Sequence, residues 1–163
     1  MSNLPRTLAL LAILGLGDGC EAGGGSSVAP GESIDDEACE HLADGPFADV
    51  AASVDAPPDV SKGHTAHRVA LADVAGGKGG AVAYANATAG DVTIFLSRDV
   101  PVAVTGPGGS PIVAEDSHKG SACSAIAVSH VFPLPVGTST LTFGPTTETS
   151  VTVVIEAGHD HAD

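Results

Sequence analysis

Residues 90–105 read GDVTIFLSRDVPVAVT, and this stretch decides the fold class. Successive strand side chains point to opposite faces, so Val92, Ile94 and Leu96 share one face, and Thr93, Phe95 and Ser97 the other. The first face is wholly apolar. Phe95 makes the second partly apolar too, the pattern of a strand packed on both sides. After a break at Arg98-Asp99 the alternation resumes with Val100, Val102 and Val104. It stops at Gly106-Pro107-Gly108-Gly109, a run of turn formers. Pro101 has no backbone N–H to give a ladder, which places it at a strand start or an edge.

Working outward, similar runs occupy residues 47–54, 67–74, 80–86, 91–97, 100–105, 111–114, 124–132, 139–143 and 150–156. Turn signals such as Pro57-Pro58, the glycine run at 76–80 and Gly144-Pro145 separate them. The pattern predicts an all-β chain, a single antiparallel β-sandwich of Ig-like or jelly-roll type. With 21 Gly, 11 Pro, 3% aromatics and no Trp, the core must come from Val, Ala, Leu and Ile, which favours strands over a helical bundle. No internal repeat is visible.

Residues 33–43, SIDDEACEHLA, predict one short helical turn at the start of the domain. Ser33 or Asp35 can cap it, its acids sit where the helix dipole favours them, and Gly45-Pro46 ends it. Cys39 and Leu42 share a face that would dock on the sheets. Cys39 and His41 point about 200° apart around a helix, so they could ligate one metal only if the segment is extended.

Before this helix, residues 8–16 form an apolar run of signal-peptide length, too short to span a bilayer. Gly17-Asp18-Gly19-Cys20 follows, and it resembles the lipobox of bacterial lipoproteins. Asp18, and Gly17 where a Leu would be expected, depart from that pattern. The resemblance implies a signal peptide at 1–19 and acylation of Cys20. It also implies an anchor in a lipid bilayer, on the periplasmic or outer-surface side of a bacterial cell envelope. Residues 20–33 contain a Gly/Ser run and read as a flexible tether. The β-sandwich domain then covers 34–157, and 158–163 form a His/Asp tail.

The C-terminal half has a second resemblance. Residues 84–105, the Gly106-Pro107-Gly108-Gly109-Ser110 turn and FPLPVGTSTLTF at 132–143 are similar to the bacterial pre-peptidase C-terminal domain. That secreted β-sandwich carries an aG-D-v-T-I strand, a GPGG hairpin and a late LPxGTxTL strand. Thr138-Ser139-Thr140 departs from it, where an aromatic is commoner. The resemblance implies a non-enzymatic accessory module and assigns no functional residue.

The net charge of −14 repels phosphate backbones and argues against a nucleic-acid partner. If the lipid takes Cys20, Cys39 and Cys123 remain, and an oxidising compartment makes a disulfide the default. The alternatives are a metal-bound thiolate pair or two free thiols, with no CxxC to strengthen the metal case.

Seven histidines stand out. His67 shares strand parity with Val69 and Leu71, and His130 with Ile126, Val128 and Phe132, so both point inward. His64 has the opposite parity and points outward. Convergence of His67 and His130, with His64 or His41, would make a copper or zinc site. Each alone reads more readily as a hydrogen-bonded, structural core histidine. His159 and His161 in the tail form a loose transition-metal chelator or simply a solvated end. The single Met is Met1, which excludes a blue-copper site with an axial Met.

No H-E-x-x-H, G-x-S-x-G, phosphate loop or calcium loop is present, so no enzyme is expected. Two functions stay open. One is a binding module for a transition metal ion. The other is a structural or interaction sandwich that meets an envelope protein partner without metal.

Overall fold

The computed structural model describes residues 33–120 and 123–158. The expected signal peptide, the Cys20 anchor, nearly all of the tether, His159 and His161 lie outside them. Among the described residues one helix, α1 (Ile34–Asp44), precedes eleven strands. These are β1 (Phe47–Ala51), β2 (Ala66–Ala70), β3 (Ala72–Val74), β4 (Gly77–Asn86), β5 (Gly90–Leu96), β6 (Val102–Thr105), β7 (Pro111–Ile112), β8 (Asp116–Lys119), β9 (Val128–Leu134), β10 (Gly137–Thr146) and β11 (Ser150–Ala157).

They form a six-stranded sheet in the order β1-β2-β11-β5-β9-β8 and a five-stranded sheet in the order β3-β4-β10-β6-β7. Neighbours are antiparallel except β1 and β2, which run parallel with Phe47 opposite Ala66. This corrects the expectation of a wholly antiparallel arrangement. Parallel neighbours need a long crossover, and residues 52–65 supply it. Ala52 N still donates to Ala70 O at 2.9 Å, but Ser53 N then donates to Ala81 O at 3.0 Å and Val60 N to Ala83 O at 2.9 Å. The crossover therefore leaves one sheet and covers the edge of β4 that short β3 leaves open. Gly80 permits this passage: its φ is +138°, and a Cβ there would lie 2.7 Å from the Cβ of Ala52.

The alternation at 92–96 determines how the layers pack. Val92, Ile94 and Leu96 join Val69, Phe132 and Val153 of the same sheet, and Val82, Val104, Leu141 and Phe143 of the other, in one buried cluster. Phe95, also fully buried, faces the opposite way. There it packs with Ala66, Ile126 and Val154 beneath Ala38 of α1, with Ile34, Cys39, Leu42 and Cys123 at the margin. The six-stranded sheet is thus covered on both faces, the second by one short helix.

Several strand boundaries differ from the expected ones, and one strand is new. The run 67–74 breaks at Leu71 into β2 and β3, which belong to different sheets. The run 124–132 begins pairing only at Val128 and continues to Leu134. β8 was not expected: all four of its residues are exposed, so no apolar alternation marks it. Cys39 and Cys123 form a disulfide with Cα atoms 6.0 Å apart, which sets aside the thiolate and free-thiol alternatives. It links residues separated by 84 positions. In the chain-entropy picture a closure of that length stabilises by about 4 kcal/mol.

Candidate metal centre

Ser33 caps α1, its Oγ accepting from Asp36 N at 3.1 Å. Ala38 turns inward and is fully buried. Glu37 and His41 stand one turn apart on the helix, with His41 Nε2 3.7 Å from Glu37 Oε1. Gly45, at φ +79°, ends the helix and donates its N–H to His41 O. His41 Nδ1 lies 3.2 Å from Gly45 O. A carbonyl only accepts, so Nδ1 is the donor of this bond, and Nε2 is the nitrogen turned toward Glu37 and His64. Metal-binding histidines are commonly oriented in this way.

His64 comes from the loop just before β2. It is the one non-glycine residue at positive φ, +49°, among the described residues. Its Nδ1 lies 2.6 Å from Glu37 Oε1 and 3.4 Å from His41 Nε2. Glu156, near the end of β11, shares the outward face of Val154 and lies under the helix. It is only 9% exposed, and its Oε1 has no hydrogen-bond partner. Burial pushes its pKa up, and the nearby Glu37 charge pushes it further, against the opposing pull of His64 and His41. One ligand atom from each of Glu37, His41, His64 and Glu156 lies within 4.8 Å of all the others.

Two imidazole nitrogens and two carboxylate oxygens suit Zn²⁺, or Cu²⁺ in a distorted geometry. Soft Cu(I) would want thiolates or thioethers, and the Cys39 sulfur is committed to its disulfide. A divalent cation would also neutralise the two carboxylates and give Glu156 Oε1 the partner it lacks.

Two of the expected histidines, His41 and His64, therefore meet, but His67 and His130 do not join them. β2 and β9 are separated by β11 and β5. At about 4.8 Å per strand, His67 and His130 are roughly 14 Å apart. Their expected convergence fails because two inward-facing residues meet only on adjacent or facing strands. His67 is buried, with Nε2 3.4 Å from Lys62 O and no partner at Nδ1. His130 Nδ1 lies 2.7 Å from Ser117 Oγ across the β8–β9 ladder. Burial lowers the pKa of both.

Sequence reasoning missed the two carboxylates. Glu37 reads as one of several helix N-terminal acids. Glu156 carried a better signal, a carboxylate at a regular position of the apolar run VTVVIEA. Among the described residues, no helix is long and apolar enough to cross a membrane. Comparison of the chain with protein-family models, with curated proteins and with solved structures finds no match.

Proposed function

We propose that this chain is a lipid-anchored, extracytoplasmic, non-enzymatic lipoprotein that binds a divalent transition metal ion, zinc or copper, through Glu37, His41, His64 and Glu156. We infer also that its sheets stack as one β-sandwich, since a single apolar cluster draws on both. The observation that carries the metal reading is Glu156. A carboxylate buried to this degree, with an orphaned oxygen beside Glu37 and two imidazoles, is costly without a cation. The lipobox-like Cys20 and the Gly/Ser run after it support the anchor.

The test is metal content and affinity of the purified full chain. Elemental analysis and calorimetric titration with Zn²⁺ and Cu²⁺ should give one tight site. His41→Ala and His64→Ala should each weaken it by about 100-fold, at least as much as loss of a ligand's orienting partner does. His67→Ala, His130→Ala and truncation after Gly158 should leave it unchanged. Absence of any stoichiometric ion would sink the reading and leave a structural or partner-binding envelope module. For the anchor, Cys20→Ala should move the protein out of the membrane fraction.

A further inference from the structure

Resting on the metal reading above, we propose that the Cys39–Cys123 disulfide controls the metal centre, so that reduction of the bond releases the ion. Cys39 lies in α1 between two of the four ligands, Glu37 and His41. The other two, His64 and Glu156, belong to a loop and to a sheet strand. The site therefore exists only while the helix is docked.

Apart from the disulfide, the helix rests on a small apolar contact and on the Glu37–His64 ion pair, itself part of the site. Ala38 is its one buried residue, and Ile34 and Leu42 are only partly covered. Helices this short are marginal in water without tertiary support. At its C-terminal end the chain passes into β1 through Gly45-Pro46; in the middle of the helix Cys39 makes the covalent tie, beside the packing of Ala38 and the Glu37–His64 contact. A dithiol reductant would deliver two electrons and two protons. The S–S bond would break to two thiols, and the dithiol would close to its own disulfide. The freed helix could then leave the sheet and carry Glu37 and His41 away from His64 and Glu156. The new Cys39 thiol would not substitute as a ligand, since it points to a different side of the helix from both.

Coupling between two sites is reciprocal, so a bound ion also makes the disulfide harder to reduce. The experiment titrates the full chain with Zn²⁺, as oxidised wild type and as the Cys39→Ser/Cys123→Ser double variant. The expected result is tight binding by the wild type and binding weaker by about tenfold or more in the variant, with the far-ultraviolet β signal retained. Equal affinities would overturn the coupling while leaving the metal site intact. No binding by the oxidised wild type would instead overturn the metal reading and this proposal with it. If the double variant loses its β signal, the comparison is made on wild type reduced by a phosphine and freed of it under nitrogen. The same fold-change is expected, and equal affinities again overturn the coupling.

Discussion

His64 Nδ1 lies 2.6 Å from Glu37 Oε1, joining a loop residue in left-handed conformation to the first turns of a helix. A left-handed backbone at a residue other than glycine costs on the order of 1–3 kcal/mol unless its surroundings hold it. Here the holding group is a carboxylate that also faces His41 and Glu156.

Asparagine tolerates the left-handed region but offers no imidazole. His64→Asn should therefore keep the fold, with a melting temperature close to that of the wild type, yet lose Zn²⁺ affinity by roughly 10- to 100-fold. Calorimetry and thermal unfolding of the same preparation check both halves. Retained affinity would remove His64 from the site.

Glu156→Gln should move stability and binding in opposite directions. The amide removes a buried charge whose ionised form is disfavoured by burial and by Glu37. The metal-free protein should melt higher than the wild type. Its Zn²⁺ affinity should fall, because a neutral amide is a poor ligand. A metal-free variant that melts lower would mean that Glu156 is held by interactions other than those of the cluster.

Binding should be linked to protons. The folded pKa of Glu156 lies above its ordinary 4.5. In the metal-free protein, the stability this group contributes is present below pH 4.5 and lost as pH rises through its folded value. A metal needs the carboxylate, so binding should weaken as pH falls through that same value. Titrations near that value, in buffers of different ionisation enthalpy, should show proton release on binding. Glu156→Gln should reduce that release.

His67 and His130 act with the opposite sign. Burial holds both below their ordinary 6.5, so the unfolded chain takes up protons there before the folded one does. Stability should fall as pH drops from 6.5 toward the folded values. Urea midpoints of the metal-free protein at pH about 7.5 and about 5.5 should show the loss. His67→Gln should reduce it.

Phe95 lies under α1 while Ile94 faces the cluster shared by the two sheets. Phe95→Ala should cost about 3–5 kcal/mol and Ile94→Val about 0.5–1.5 kcal/mol by denaturant unfolding. Only Phe95→Ala should also weaken Zn²⁺ binding, because it removes the floor on which the helix carrying Glu37 and His41 rests. Equal effects on binding would mean that helix docking does not set the affinity.

Local patterning determined much of this molecule. The period-two alternation at 92–96 already separates Phe95 from Ile94, because strand geometry alone assigns faces. Ser33 and Gly45 mark the helix ends through capping chemistry that needs no distant residue. The even cysteine pair left after Cys20 pointed to the Cys39–Cys123 bond. What tertiary structure decided was non-local. The parallel pairing of β1 with β2 depends on a crossover over Gly80, and the break at Leu71 on a change of sheet. The candidate site follows the same rule. His41 and His64 are 23 positions apart, and Glu156 lies far beyond both. Only the docking of α1 across β11 brings them within one ion's reach. Parity shows which way a side chain points, but not which strands lie between it and another, and that is why His67 and His130 stayed apart.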